Sequence, residues 1–177
     1  GHNSFLFGGS KEQIAYYIPK LQSHELRTCF ALTEPEHGSD VAGGLETTAK
    51  REGDKWILNG EKKWIGGANL ADVIPVYAVD VETGKPKGFI VRPEQAGVDI
   101  EVIENKIALR IIPNTIIKLD NVEVEEDQRL QNINGFKDIA KVLYSTRAGV
   151  AYMATGALAG ALRATLDYVT ERKQFGK

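Results

Sequence analysis

Cysteine is almost missing from this chain. Among 177 residues only Cys29 occurs, so no intramolecular disulfide is possible and the fold must stand on its own core. The residue reads as a small buried apolar group rather than a reactive thiol. No uninterrupted apolar run approaches the roughly 18 residues needed to span a bilayer. No basic n-region followed by an apolar stretch opens the chain. No strongly basic segment occurs either. Lys and Arg number 22 against 24 Asp and Glu, a net charge of −2 with the signs mixed, which argues against nucleic acid as a partner. The chain starts Gly1-His2-Asn3 without an initiator Met. That opening predicts a processed, truncated or recombinant product, and no cellular address can be read from its ends.

What is there suits one folded domain or one domain with an appendage. Residues 10–22 (SKEQIAYYIPKLQ) read as a short helix. Ser10 is its N-cap, and Gln13, three places on, completes a capping box. Ile14, Tyr17, Ile18 and Leu21 fall on one face, and Pro19 marks the last turn. Residues 28–126 are rich in β-branched residues, with turns near every ten residues, which predicts a β-sandwich or barrel. Asn59-Gly60, between Lys55–Leu58 and Glu61–Ile65, carries a strong hairpin signal. Further strands are expected at 73–79, 88–91, 97–103, 115–119 and 121–124, with a turn at Thr83-Gly84.

From Gly135 the character changes. About 40 residues without Pro repeat apolar positions at helical spacing, from Ile139 and Leu143 through Leu158 and Leu162 to Val169. Such a helix reaches on the order of 55 Å. A small β domain is about 30 Å across, so the helix is expected to overhang and to need another partner. Gly156 and Gly160 add a smooth strip where a second helix can approach, or simply a crowded core face. The fold class expected is α+β, a β-barrel or sandwich flanked by a short N-terminal and a long C-terminal helix.

Two segments can carry chemistry. Leu32-Thr33-Glu34-Pro35-Glu36-His37-Gly38-Ser39-Asp40 reads as a strand end entering a tight loop with hydroxyl and N–H donors, suited to a ring edge or a phosphate. A purely structural acidic turn is the plainer reading. A metal site of Glu34, Glu36, His37 and Asp40 is a third, though its ligands crowd together in sequence. Lys63-Trp64-Ile65-Gly66-Gly67 places a Trp beside two glycines. Trp64 can wall a planar heterocycle that glycines allow to come close. Equally, Trp64 can be core and the glycines a bulge.

Together these segments resemble the acyl-CoA dehydrogenase family. ALTEPEHGSD matches its LTEP-x-x-GSD loop, and NGEKKWIGG its NG-x-K-x-WI hairpin. Residues 88–110 match a GFIV…GV…K-x-G-x-R pattern, with Ala108 where Gly is usual. Arg147 falls at an Arg of the first C-terminal helix, and Glu171–Gly176 matches ER-x-x-FG. The five blocks lie in family order over residues 8–177.

The resemblance implies noncovalent FAD, an acyl-CoA substrate oxidised to its trans-2-enoyl product, and an electron-transfer flavoprotein or oxygen as acceptor. It implies that Phe30, Leu32 and Thr33 line the flavin, with donors at its pyrimidine edge. Gly38 and Ser39 sit where flavin meets CoA, Ser39 toward the pantetheine. Trp64, Ile65 and Gly66 pack on the flavin, and Arg172 and Phe175 touch FAD bound mainly by a neighbouring subunit. Tyr144 and Arg147 line the acyl-CoA channel. The full protein is expected to be a homodimer or homotetramer. Its parts are expected to be residues 1–27, a remnant of an N-terminal helical domain; residues 28–127, the middle β domain; and residues 128–177, the start of a helical bundle.

Two departures stand out. Many dehydrogenases have Thr after WI, where this chain has Gly66. Plant short-chain acyl-CoA oxidases are similar in this, glutaryl-CoA dehydrogenases are similar across the region, and family abundance favours dehydrogenase. The second concerns the base. Members place a catalytic Glu far into the C-terminal bundle, or directly before the Arg matched by Arg147. That second position is Thr146 here, so the chain as given is expected to lack its base. A noncatalytic interaction or ligand-binding module on the same scaffold is the alternative.

Overall fold

The computed structural model describes residues 1–176. They divide into two units, Gly1–Lys141 and Val142–Lys177.

The first unit opens with two helices, α1 (His2–Gly8) and α2 (Lys11–Gln22). The capping box at Ser10 forms as expected, and the same Gln13 side chain also donates to the Asp127 and Arg129 carbonyls, both at 2.8 Å. One amide thus caps the helix and fastens it to the far end of the sheet. Pro19 lies in the last turn. The α1 helix escaped the sequence reading, because seven residues show no period. It is held from outside: Phe5 is buried with its ring 4.8 Å from Tyr17, and Tyr77 Oη donates to Ser4 Oγ at 2.9 Å.

Seven strands follow: β1 (Thr48–Glu52), β2 (Lys55–Gly66), β3 (Ile74–Asp80), β4 (Pro86–Val91), β5 (Val98–Val102), β6 (Asn114–Glu125) and β7 (Arg129–Leu130). They form one sheet in the order β5-β6-β2-β1-β3-β4-β7. The α+β class therefore holds, but the sheet is open, neither a closed barrel nor two stacked sheets. It curls strongly all the same. Trp56 of β2 and Phe89 of β4 meet at 5.4 Å between ring centroids, although three strand spacings, roughly 14 Å in a flat sheet, separate their strands. The concave side holds one apolar cluster that includes Trp56, Leu58, Ile74, Val76, Phe89, Val91, Ile117 and Val122.

The Asn59-Gly60 hairpin does not exist. Strand β2 runs straight through it, and the real hairpin joins β1 to β2 at Gly53-Asp54, where Gly53 has φ +64°. Asn59-Gly60 is instead a bulge against β6. The bulge is latched by Asn121, which has φ +52°: its backbone N–H donates to Asn59 Oδ1, and Asn59 Nδ2 donates back to its side chain. Gly60 has φ +145°, and a Cβ there would lie 2.7 Å from the Thr47 Cα. A neighbouring loop crowds this point, so the Asn-Gly pair serves a close approach and not a turn. The two strands expected at 115–119 and 121–124 are one strand, β6.

The last helix, α3, spans Phe136–Glu171, close to the span expected. Its first turn belongs to the first unit, where Ile139 is buried. In the second unit the helix continues with Tyr144, Tyr152, Leu158, Leu162 and Leu166 all more than half exposed.

Candidate functional site

Between Thr28 and Thr33 the chain runs beside β3. Thr28 and Ala31 bridge Val73 and Val76 in parallel, and Tyr77 N–H donates to the Ala31 carbonyl. On its other side Lys63 N–H of β2 donates to the Thr33 carbonyl at 2.9 Å. The segment thus fills the gap between β2 and β3 that β1 fills further along. The chain then leaves the sheet at Glu34 and returns as β1 at Thr48, with β1 also parallel to β3. Residues 35–45 are an excursion from the middle of the sheet, and Glu34 closes its neck. The Glu34 carboxylate accepts from Glu46 N–H at 2.6 Å and Thr47 N–H at 3.0 Å.

Beneath that neck sits the Lys62 side chain of β2, with no exposed surface. Its Nζ donates to Glu34 Oε1 at 2.7 Å and to the Leu32 carbonyl at 3.1 Å. Burial pushes the Lys62 pKa down, against the pull of Glu34. Burial also opposes ionisation of Glu34, but the Lys62 charge and the donated N–H groups outweigh it and hold this carboxyl below its usual range. Nothing in the local sequence announced the pair: 28 residues separate its members, and Glu61-Lys62-Lys63 reads as a solvated hairpin arm.

One residue past Lys63 lies Trp64, at φ +63° and half exposed. For so bulky a residue this is a strained conformation of order 1–3 kcal/mol, which persists only where neighbours over-determine it. They do so here. A bulge against β6 falls between Lys63 and Ile65. Asn114 Nδ2 donates to the Trp64 carbonyl at 3.1 Å, and Thr115 Oγ1 to the Ile65 carbonyl at 2.9 Å. Trp64 is therefore not core. Ile65 is, being buried, while Gly66 is exposed and a Cβ there would meet Ile112 Cγ2 at 3.3 Å. A groove of about 660 Å³ lined by Lys63, Trp64, Val102, Ile103 and Ile116 runs alongside.

The structure thus pairs Thr33 with Lys63, the residue directly before Trp64. Phe30 and Thr33 are half-buried and Leu32 is buried, with the Phe30 ring edge-on to Tyr77 at 5.4 Å. A strained indole offered to solvent, a glycine beside it and a strand of half-buried backbone opposite make a fit for a flat heterocycle. Gly38 and Ser39 are exposed on the excursion. His37 Nδ1 meets Asp40 Oδ2 at 2.8 Å and its Nε2 lies 3.6 Å from Glu46 Oε1. The hydrogen bond to Asp40 raises the His37 pKa.

Glu34 turns inward to Lys62 while His37 pairs with Asp40. Among the described residues no group of three or more His, Cys, Asp or Glu is placed to hold a metal. Cys29 is buried, which pushes its thiol pKa up to about 12. In the second unit Tyr144 and Phe175 are strongly exposed, Arg147 and Arg172 are exposed too, and the Thr146 hydroxyl donates to the Leu143 carbonyl.

A family model described as the acyl-CoA dehydrogenase middle domain matches residues 29–122, and one for the C-terminal domain of that family matches residues 134–177. A caffeyl-CoA reductase–Etf complex subunit of Acetobacterium woodii is 39% identical over 97% of this chain and 46% of its own length. A 3-(aryl)acrylate reductase of Clostridium sporogenes is 40% identical over 98% of this chain and 47% of its own. A crystal structure of a glutaryl-CoA dehydrogenase from Mycobacterium smegmatis in complex with FADH2 superposes with a TM-score of 0.92 at 35% identity, over 99% of this chain and 45% of that one. The chain spans about half the length of the relatives it matches.

Proposed function

From a chain that belongs to the acyl-CoA dehydrogenase family, we infer that the protein carrying it interconverts an acyl-CoA thioester and its α,β-unsaturated partner with FAD. The observation that carries this reading is the strained, half-exposed Trp64, braced by Asn114 and set one residue past the Lys63 that bonds Thr33. FAD, when bound, supplies the hydride acceptor, and the protein supplies orientation and electrostatics. Phe30, Thr33, Trp64 and Gly66 would hold the ring, with the buried Leu32 and Ile65 backing them. Ser39, with Gly38, would meet the pantetheine arm on the excursion whose neck Glu34 closes. Arg172 and Phe175 would serve FAD of a neighbouring subunit in a homo-oligomer, and Tyr144 and Arg147 the acyl channel. The division at residues 27 and 127 is part of the same proposal.

Removing the α proton needs a base. Thr146 has no carboxylate and cannot serve as that base. A positioned general base contributes about 10²–10⁴-fold. The 177 residues alone are therefore expected to turn over acyl-CoA negligibly and to retain FAD poorly, whereas a full-length protein is expected to hold FAD and to turn over. Gel filtration with flavin absorbance, run on both, tests this; stoichiometric FAD and family-like turnover in the short chain would contradict it. An open reading frame that stops at Lys177 would favour the noncatalytic module instead.

We take an electron-transfer flavoprotein as the electron partner in preference to oxygen. The Acetobacterium relative's name includes such a partner. A side chain at Gly66 would press on Ile112, whose Cγ2 lies 3.3 Å from a Cβ placed there. Oxygen uptake with acyl-CoA, measured with and without an electron-transfer flavoprotein, decides between them.

A further inference from the structure

The Glu34–Lys62 pair is buried, yet it touches no point where substrate is expected, and a sheet of this size does not need a buried ion pair for stability. Its placement is more specific than its existence. The ammonium donates to the Leu32 carbonyl, and the N–H at the other end of that same peptide group belongs to Thr33. A cation on a carbonyl polarises the whole amide and makes its N–H a stronger donor, an effect that a low-dielectric interior enlarges. Glu34, meanwhile, also accepts from the Glu46 and Thr47 N–H groups, and it is the Lys62 ammonium that bonds the Leu32 carbonyl.

We propose that Lys62 is a positioning and polarising residue for the flavin. Its ammonium, anchored by Glu34, strengthens the Thr33 N–H as a donor toward the ring's pyrimidine edge. This rests on the flavin reading above. Reduction adds negative charge to that edge, and a donor aimed at developing charge favours the charged state. Lys62 therefore tightens the reduced cofactor more than the oxidised one. A brace that only holds the loop in place would tighten both equally.

The test measures the affinity of the full-length protein for oxidised and for reduced FAD, anaerobically, in wild type, in Lys62→Met and in the double variant Glu34→Gln/Lys62→Met. The double variant removes both charges together and so avoids stranding a buried carboxylate. The expected result is a loss of about tenfold in the ratio of reduced to oxidised affinity, in the double variant as in any single variant that folds. For a two-electron couple that ratio is about 30 mV of lowered midpoint potential, readable independently by redox titration. Equal losses in both states, with the potential unmoved, would overturn the inference and leave a structural clasp. A wild-type protein that binds FAD in neither state would overturn the flavin reading itself, and this inference with it.

Discussion

Lys62 Nζ stands 2.7 Å from Glu34 Oε1, and neither side chain exposes more than 2% of its surface. Removing one partner of such a pair strands a buried charge. Lys62→Met alone is expected to cost about 3–5 kcal/mol, whereas Glu34→Gln/Lys62→Met together costs about 1 kcal/mol or less. Urea unfolding of the three proteins, compared at neutral pH, checks this. Equal destabilisation in the single and the double variant would contradict the coupling.

The pair also sets an acid limit. Glu34 is held below its ordinary pKa of 4.5, so its contribution to stability is complete above that pH and is lost as pH falls through the folded value. The urea midpoint of wild type is expected to drop more steeply below pH 4.5 than that of the double variant. Parallel curves would show that other carboxylates dominate.

His37 behaves in the opposite sense. Its hydrogen bond to Asp40 raises its pKa above 6.5. The clasp it makes with Asp40 and Glu46 is complete below pH 6.5 and is lost as pH rises through the folded value. Amide exchange of residues 38–45, corrected for intrinsic rates, is expected to quicken across that rise, and His37→Gln is expected to flatten the dependence. A wild-type loop whose protection does not change with pH would rule out the clasp.

Gly60 and Gly43 should respond differently to Ala. At Gly60 the φ is +145° and a Cβ meets the Thr47 backbone, while at Gly43 nothing lies within 4 Å. Gly60→Ala is expected to cost about 2 kcal/mol or more and Gly43→Ala less than about 0.5 kcal/mol. Thermal unfolding of both variants checks the contrast, and equal costs would count against the crowded neck.

The sequence was most readable where local chemistry decided the structure. The Ser10–Gln13 box, the Thr83-Gly84 turn and the long helix after Gly135 all depend on neighbours a few residues away. It misled where tertiary contact decided. Asn59-Gly60 is an ideal turn pair spent on a bulge because Thr47, from another segment, presses against it. Strand β1 (TAKRE) has little β character of its own and exists through pairing with β2 and β3. The site divided the same way. Trp64 and Thr33 were legible as motif residues, but that Lys63 bonds Thr33 and that Lys62 with Glu34 fastens Leu32 and the neck beside it depends on partners 28 or more residues apart. Gly66 was flagged for what it lacks, and the Ile112 side chain 3.3 Å from a Cβ there gives that absence a physical setting.

A flavin-binding role and a structural role for the strained Trp64 are separable. Trp64→Gly is expected to relax the φ of +63° and stabilise the flavin-free protein by about 1 kcal/mol, while weakening flavin binding by about tenfold. Calorimetric unfolding without FAD and fluorescence titration with it check the two halves. A variant less stable without FAD would place Trp64 among structural residues.

If this protein holds a flavin against an acyl-CoA thioester, anaerobic addition of thioesters of graded length to the purified full-length protein, followed by flavin absorbance, will show it. One FAD per chain is expected, bleached by at least one thioester, with enoyl-CoA formed in step. A protein that carries no FAD, or whose bound FAD no thioester reduces and no enoyl-CoA reoxidises, would contradict it.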